Sequence, residues 1–386
     1  TFRLDICLVE EQFEMVQYVE KGRKPRWGYF PKEGHPQAVT RFDGTRITPG
    51  FLQAIAYEVY VKNVTFGLLH QWLGDMGMTV SENTLRNRLK KGRKYLDRMV
   101  VELKRIALEK DAVVNCDETW CKVRKYDRYK KCYMWVLVNK AERVVIFFYE
   151  DGSRGRDVLT NFLGDAELKA LMSDGYNAYV FIGDGLKTHR YKDTDHQVCL
   201  AHVRAKFVKA WMEGGDKRAD VFLDNINRLF RFEREYDREM ITDGERTRRR
   251  QGLPPLEAMI NLRANLLQEL KSEEEHKSCY MREALNYLHK FWNEAFTYIK
   301  DGRYPISNNL AERAVRPFTT KRKNSLHFGS DEGAEIAAVY HSIISTVKLQ
   351  GRSAWDYLGK FFTGIFNGCR DFLSLTPQNI DLAVCQ

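Results

Sequence analysis

The apolar residues between positions 48 and 110 recur at intervals of three and four, which predicts helices. Pro49 opens the first helix, residues 65–73 fit a second, and Ser81 is a candidate N-cap for a third. Gly77 supplies a turn just before the third helix. Two helices joined by such a turn have the form of a helix-turn-helix, so we assign residues 48–110 to a helical helix-turn-helix region.

The hydrophobic pattern changes at residue 112, where short continuous apolar runs replace helical spacing. Three strands, a helix, a strand, a helix, a strand and a helix are predicted, with charged turns at 124–131 and 139–143. The strands are 112–117, 132–138, 144–149, 170–174 and one ending near Cys199, and two of the helices are 157–163 and 201–212. This mixed α/β order is the one found in ribonuclease-H-like domains. The first part of an RNase-H-like catalytic core is therefore predicted at 111–212.

Strand patterning disappears between residues 213 and 300, which predicts an all-helical insertion into the core. Its helical spacing is clearest in Leu256, Met259, Ile260, Leu262, Leu266, Leu267 and Leu270. A predicted loop carries four arginines, which are either solvated or bound to DNA phosphates: Arg246, Arg248, Arg249 and Arg250. Residues 301–386 are predicted to form the rest of the RNase-H-like core. They contain a short helix, capped by Ser307 or Asn308 and ended by Pro317, followed by C-terminal helices.

The charge of the chain favours a polyanionic partner. The net charge is +10 and the isoelectric point is near 9.1, and no basic amphipathic membrane anchor is evident, so nucleic acid is the favoured class. Ten basic residues lie between Arg86 and Lys110, against three acidic ones. A recognition helix would use them on DNA, and a solvated basic helix is the alternative. The candidate DNA-binding residues in this segment are Arg86, Arg88, Lys90 and Lys91.

Residues 1–47 predict only short strands and loops, because prolines interrupt any helix there. The chain has neither a membrane-spanning apolar run nor a signal-peptide pattern, so a cytoplasmic location without membrane contact is expected. It does not begin with Met, and we expect it to be a fragment that lacks an upstream piece. The eight cysteines are scattered, as in a protein with reduced thiols. Cys199 and His202 have metal-ligand spacing, but no second pair lies nearby in sequence, so structural zinc is not expected.

Three acidic residues are candidates for catalysis. Asp117 and Asp174 each close an apolar run, and ligand sites in α/β sheets form outside strand ends. An ordinary Asp-Gly turn is the alternative for Asp174. Glu312 shares a helix face with Asn309 and Arg316, an arrangement that capping and a salt bridge would also explain.

Gathered together, these carboxylates could hold metal ions for phosphodiester chemistry. In-line attack needs an activated incoming oxygen and a neutralised leaving oxygen, and two Mg²⁺ ions about 4 Å apart supply both. Mg²⁺ prefers a few carboxylate oxygens together with water and substrate phosphate. Asp117, on a central strand, is the natural bridging ligand between the two ions.

Five segments resemble, in order, transposases of the insertion-sequence sixty-six family: Cys116–Thr119, Ser173–Tyr176, Cys199–Phe207, Ile306–Pro317 and Lys321–Ser330. The resemblance covers roughly residues 45 to 365. It implies an RNase-H-like core of the DDE type, split by a helical insertion. It also implies a transposase that cleaves the ends of the element and transfers the 3′-hydroxyl ends to target DNA.

The resemblance also implies roles for individual residues. The catalytic and metal-binding triad would be Asp117, Asp174 and Glu312, with two Mg²⁺ or Mn²⁺ ions. Supporting residues would be His202, Asn308, Asn309 and Arg316, and further DNA contacts would come from Arg313, Lys321, Arg322 and Lys323. A buried structural role is the alternative for His202.

The resemblance implies that the partner is double-stranded DNA, namely the inverted repeats of the element and the target. It also implies a homodimer or higher oligomer on DNA and accessory proteins of the same element. Family members carry a further N-terminal coiled coil and zinc motif that this sequence lacks. Two alternatives stay open: an RNase-H-fold nuclease that only hydrolyses DNA, and a catalytically silent DNA-binding regulator.

Overall fold

The computed structural model describes residues 15–19, 21–29, 47–184, 187, 189–272 and 277–381. The chain divides into two compact units. We call residues 1–104, 121–130 and 317–386 the helical unit, and residues 105–120 and 131–316 the sheet unit.

The helices and strands alternate along the chain in the mixed α/β manner that the sequence predicts. In chain order the described elements are β1 Met15–Tyr18, β2 Arg26–Tyr29, α1 Pro49–Tyr60, α2 Phe66–Asp75, α3 Glu82–Ala107, β3 Val113–Lys125, β4 Arg128–Asn139, β5 Val144–Phe148, α4 Arg156–Leu163, β6 Ala170–Ser173, β7 Asp195–Val198, α5 Leu200–Met212, α6 Ala219–Glu239, α7 Asp243–Arg250, α8 Leu253–Lys271, α9 Cys279–Lys290, α10 Trp292–Phe296, α11 Asn309–Ser325, α12 Asp331–Leu349 and α13 Ala354–Phe366. Between β6 and β7 a single 3-10 turn, Asn177–Tyr179, is described where a helix was predicted. Within the described ranges no helix has the length and apolar character needed to cross a membrane.

The three helices predicted between residues 48 and 110 are confirmed. Each begins after a residue whose hydroxyl accepts a main-chain N–H of the first turn, at Thr48, Thr65 and Ser81. In the helical unit α1 packs against α12 and α13. The short strands β1 and β2 pair as an antiparallel hairpin, and most of the rest of segment 1–47 lies outside the described residues.

A close approach inside the helical unit occurs at Gly92, in the middle of α3. The hydroxyl of Tyr340 donates a hydrogen bond to the main-chain carbonyl of Leu89, 2.9 Å away. A Cβ atom at Gly92 would lie 2.5 Å from that hydroxyl oxygen. The ring of Tyr340 also stacks on Tyr60, with 4.4 Å between the ring centroids. The absence of a side chain at Gly92 therefore lets the two helices approach at this point.

The charged turn predicted at 124–131 is present but confined to two residues, and most of the segment is strand. β3 continues to Lys125 and β4 begins at Arg128, which leaves only Tyr126 and Asp127 between them. The side chains alternate along the end of β3, with Cys121 and Val123 buried and their charged neighbours exposed. Extended backbone tolerates these charges because every second side chain faces away from the packed side.

The sheet unit is built on a five-stranded mixed sheet with the order β5-β4-β3-β6-β7. β6 runs parallel to β3, and β7 runs parallel to β6, whereas β4 and β5 are antiparallel. A two-residue connection between β3 and β4 allows only an antiparallel pairing of those neighbours. All five predicted strands are present and mostly buried at the predicted positions, and β7 ends one residue before Cys199, as expected.

The prediction of helices between residues 213 and 300 is confirmed by α6–α10, which we call the helical block. Within the sheet unit, α5 packs against α6 and α9, and α6 packs against α8. One apolar core runs from Ala170 in β6 through Phe207 in α5 to Leu262 in α8. The helical block therefore shares its core with the sheet.

The arginine-rich segment of the helical block is a helix, α7, and the prediction of a loop is wrong. Thr242 caps it by accepting the N–H of Glu245. Glu245 in turn pairs with Arg248 and Arg249. Arg250 is buried, where its guanidinium pairs with Glu233 at 2.7 Å. Arg246 and Arg250 are thus held by Glu233 within the helical block, whereas the side chain of Arg248 stays exposed to solvent.

The helix that bears Glu312 does not stop at Pro317, which is a further difference from prediction. Proline lacks the N–H that the helical ladder uses and usually ends a helix. Here α11 continues to Ser325. In the helical unit the buried ring of Phe318 packs against His341, with 5.5 Å between ring centroids. Burial of side chains after the proline compensates for the lost hydrogen bond.

Candidate active site

Asp117 and Asp174 lie next to each other just beyond the last paired residues of the parallel strands β3 and β6 in the sheet unit. In the register of β3 and β6, Asn115 pairs with Met172. Asp117 and Asp174 each follow two residues later, Asp117 still within β3 and Asp174 directly after β6. This is the edge of an α/β sheet at which ligand sites form.

Glu312 lies near these two aspartates because hydrogen bonds from Asn308 hold the start of α11 against β3. Asn308 is fully buried, and its Nδ2 donates to the carbonyl oxygen of Cys116, 2.9 Å away. Its Oδ1 accepts a hydrogen bond from Nδ2 of Asn115, also at 2.9 Å. The main-chain N–H of Glu312 donates to the carbonyl oxygen of Asn308 at 3.1 Å. The first turn of α11 is thus hydrogen-bonded to the strand that carries Asp117.

The carboxylates interact electrostatically. Burial, together with the negative charges of Glu118, Asp174 and Glu312, raises the pKa of Asp117 to about 8, although an N–H from Glu118 acts in the opposite direction. A carboxyl group at such a position is costly to ionise unless a cation is present. The donor set is made of carboxylate oxygens, which are the ligands that Mg²⁺ and Mn²⁺ prefer. The residues therefore fit a divalent cation.

Glu118 belongs to this site, although the sequence did not single it out. Only 1% of its side chain is exposed, and Arg154 donates to its Oε1 at 2.6 Å. Tyr179 donates to its Oε2, also at 2.6 Å. The guanidinium of Arg154 stacks 3.7 Å from the centroid of the Tyr176 ring. An acidic residue inside a buried strand was the available signal for Glu118, whereas no signal pointed to Arg154.

The backbone around Asp174 is held from two directions. The Oδ1 atom of Asp174 accepts the N–H of Tyr176 at 2.8 Å, and the hydroxyl of Tyr287 donates to its main-chain carbonyl oxygen. Gly175 has a φ of +80°, and a Cβ atom there would lie 2.7 Å from the Tyr287 hydroxyl. Tyr287 belongs to α9, so the helical block contributes directly to the geometry of the site.

Cys199 and His202 lie at the start of α5, beside Glu312. Nδ1 of His202 is 3.8 Å from Oε1 of Glu312. The Sγ atom of Cys199 accepts the main-chain N–H of Asn308 at 3.1 Å. Burial raises the pKa of Cys199 to about 11, while main-chain N–H groups lower it. The structure therefore brings His202 and Asn308 to the triad, as the sequence predicted.

The remaining supporting and DNA-binding candidates are more dispersed. Asn309, Arg313 and Arg316 are exposed on the first half of α11, in the sheet unit. The other candidates lie in the helical unit: Arg86, Arg88, Lys90, Lys91, Lys321, Arg322 and Lys323.

Lys321 is poorly placed for the phosphate contact that the sequence suggested. Its side chain is only 6% exposed, and Nζ donates to the carbonyl oxygen of Val59 at 2.6 Å. Burial lowers its pKa to about 7. Among the neighbouring candidates Lys323 is exposed and Arg322 is partly buried. The contrast arises because α11 continues past Pro317 and turns Lys321 inward.

Comparison with protein families matches most of the chain to one family. A model of the family described as "Transposase IS66 family" matches residues 44–336. The chain belongs to this family. The residues matched to the IS66 transposase family include Asp117, Asp174 and Glu312, the helical block and α1–α3.

Curated relatives are found in Sinorhizobium fredii. The chain is 27% identical to the uncharacterized protein y4jD over 255 residues, which cover 62% of this chain and 47% of the relative. It is also 27% identical to the uncharacterized protein y4qI over 239 residues, or 61% of this chain and 43% of the relative. The chain thus spans less than half the length of these relatives.

Proposed function

We propose that this member of the IS66 transposase family is a DNA transposase that cleaves insertion-sequence ends and transfers the 3′-hydroxyl ends to target DNA. The observation that carries the proposal is the convergence of Asp117, Asp174 and Glu312. These residues come from two parallel strands and a helix that are far apart in sequence, and their charges act on one another. A buried carboxyl group with a raised pKa, such as that of Asp117, beside further acidic residues is typical of functional sites.

The sheet topology supports an RNase-H-like core. Such a core has three successive strands in a meander, followed by two further strands parallel to the first. The order β5-β4-β3-β6-β7, with the parallel pairs β3–β6 and β6–β7, has this arrangement. The proposed triad then occupies two strand ends and a helix that returns to the sheet after the helical block.

Asp117, Asp174 and Glu312 would hold two divalent cations, Mg²⁺ or Mn²⁺, with Asp117 as the shared ligand. When bound, such ions activate an attacking oxygen and neutralise the charge on the leaving oxygen of a phosphodiester. The protein's own contribution is to fix the carboxylates. Asn308 anchors the first turn of α11 to β3, and Tyr287 holds the carbonyl of Asp174. Arg154 neutralises Glu118 beside Asp117.

Positively charged residues of both units would bind double-stranded DNA at its phosphates. In the helical unit the proposed recognition helix of the helix-turn-helix is α3, where Arg86 and Lys90 are exposed. Both already have acidic partners, Glu82 at 2.6 Å and Glu332 at 2.5 Å, which DNA phosphates would replace. On α11, Arg313 and Arg316 would reach DNA close to Glu312. Pairing of two element ends would require at least a homodimer, with accessory proteins of the element as further partners.

A cleavage and joining assay tests the proposal. The purified chain is mixed with Mg²⁺ or Mn²⁺ and labelled DNA that carries the ends of its element, with Asp117→Asn and Asp174→Asn as matched controls. We expect joined products that disappear in both variants while DNA binding is retained. Nicking without joining would replace the proposal with a hydrolytic nuclease. DNA binding without either product would replace it with a silent regulator.

A further inference from the structure

Cys199, His202 and Glu312 form a second group of potential metal ligands at the edge of the proposed active site. Cys199 directly precedes α5, His202 lies in its first turn, and Glu312 lies in the first turn of α11. One ligand atom from each residue lies within 4.8 Å of the other two. The sequence supplies only the Cys199–His202 pair, and the fold brings the third ligand from more than a hundred residues away.

The chemistry of the group differs from that of the triad. A thiol, an imidazole and a carboxylate together suit Zn²⁺, whereas Mg²⁺ binds oxygen ligands. In a tetrahedral zinc site with bonds of about 2.0–2.3 Å, the ligand atoms are roughly 3.5 Å apart. The 3.8 Å separation between His202 Nδ1 and Glu312 Oε1 is close to that value. Both side chains are more than a third exposed, so small torsional changes could complete the geometry.

Two further contacts point to a ligand at this place. Although the imidazole of His202 is partly exposed, its Nδ1 atom is shielded from solvent. This atom has no hydrogen-bond partner among the residues that the structure describes. A buried polar atom without a partner is uncommon and is satisfied when a ligand binds. The Sγ atom of Cys199 accepts the N–H of Asn308 at 3.1 Å. Hydrogen bonds from surrounding groups orient the residues that bind a metal, and this contact fixes the position of the Cys199 sulfur.

We propose that Cys199, His202 and Glu312 bind one Zn²⁺ ion, with water as the fourth ligand. Because Glu312 also belongs to the triad, Zn²⁺ bound here withdraws a carboxylate from it. Zn²⁺ would therefore inhibit DNA cleavage in the presence of Mg²⁺. The binding itself is independent of the proposed function, whereas the inhibition rests on it.

The binding is tested with Co²⁺, which occupies zinc sites and gives an intense sulfur-to-metal absorption band when a thiolate is bound. The metal-free, reduced chain is titrated with Co²⁺ in excess Mg²⁺, and Zn²⁺ is then added to displace it. We expect one equivalent of Co²⁺ with the thiolate band. Absence of the band in the wild-type protein, or a band that survives Cys199→Ser, would overturn the proposal.

Two further variants separate ligand loss from misfolding. His202→Ala removes a partly exposed ligand. As a control, Cys279→Ser removes an exposed cysteine of α9 that does not belong to the proposed metal site. Loss of an outer-shell partner of a metal lowers affinity about 10- to 100-fold, so loss of the His202 ligand should weaken Co²⁺ binding at least about tenfold. Cys279→Ser should bind as wild type does. A band lost in Cys279→Ser and kept in Cys199→Ser would assign the metal to another site.

The inhibition is measured as the ratio of cleavage rates with and without Zn²⁺ at constant Mg²⁺. We expect the ratio to fall in the wild-type protein and to return toward one in Cys199→Ser. An equal fall in both proteins would contradict competition through this site. If the wild-type protein fails to cleave DNA with Mg²⁺ alone, the proposed function fails, and the Co²⁺ spectrum still decides whether the zinc site exists.

Discussion

The hydroxyl of Tyr287 donates a hydrogen bond to the main-chain carbonyl oxygen of Asp174. Tyr287 belongs to the helical block, and Asp174 ends a strand of the sheet. The ring of Tyr287 also packs against Phe291, with 5.0 Å between the centroids, and Lys206 lies over it. A long insertion between the second and third carboxylates of the triad thus helps to position the second one.

Removing this hydroxyl should reduce catalysis more than it reduces stability. Tyr287→Phe keeps the ring contacts but loses one hydrogen bond, which costs about 0.5–1.5 kcal/mol. Because small displacements of a catalytic group are amplified in the rate, we expect DNA cleavage to fall by roughly tenfold or more. Tyr280→Phe, on the same helix, is the control and should cleave normally. Equal rates in the two variants would show that Tyr287 does not position Asp174.

The stability of the metal-free protein should depend on pH through Asp117. Its pKa rises from an ordinary value of 3.8 to about 8 in the folded state. Its contribution to stability is therefore complete below pH 3.8 and is lost as the pH rises through 8, by up to about 1.4 kcal/mol per pH unit. Asp117→Asn removes this loss, so the free energy of unfolding of the variant should exceed that of the wild type increasingly with pH.

Urea denaturation in a chelating buffer at about pH 5 and about pH 8 measures this difference. Added Mg²⁺ should restore the stability of the wild-type protein at the higher pH and have little effect on Asp117→Asn. Parallel pH profiles for the two proteins would contradict the raised pKa.

The proposed recognition helix predicts a particular salt dependence of DNA binding. Replacing Arg86 and Arg88 with alanine removes two phosphate contacts, so the slope of log affinity against log salt concentration should fall by about 2. The control replaces Arg248 and Arg249, which lie on α7 outside the proposed recognition helix and should leave the slope unchanged. Fluorescence anisotropy over a range of salt concentrations distinguishes the pairs. If both double variants behave alike, α3 does not enter the groove.

The approach of Tyr340 to α3 predicts opposite effects of the same substitution at two helical glycines. Gly92→Ala places a methyl group against the Tyr340 hydroxyl and should destabilise the protein by about 1–3 kcal/mol, as overpacked sites do. Gly74→Ala, in α2, meets nothing within 4 Å and should stabilise it by up to about 1 kcal/mol. Thermal unfolding measures both. A gain in stability from Gly92→Ala would mean that Tyr340 moves aside without cost.

Local sequence patterns predicted most helices and strands. They failed where the same residue type can either end an element or lie inside it. Helical spacing, the opening Pro49 and the candidate cap Ser81 were sufficient for α1–α3, because these signals act within one turn. A proline inside α11 and charges along β3 each predict a break, yet both elements continue. Burial of Phe318 and the pairing of β3 with β4 outweigh the local preference, and neither is visible in the surrounding few residues.

The sequence by itself predicted the three carboxylates, the position of Asp174 after a strand and of Glu312 on a helix, and the membership of the chain in a transposase family. Only the tertiary structure decided what surrounds them. The pairing of Asn115 with Asn308, the support of Asp174 by Tyr287, and the meeting of Cys199 with Glu312 all join residues more than a hundred positions apart. Periodicity and capping report on neighbours within a few residues, whereas these contacts depend on how the strands are ordered and on which helices pack over them.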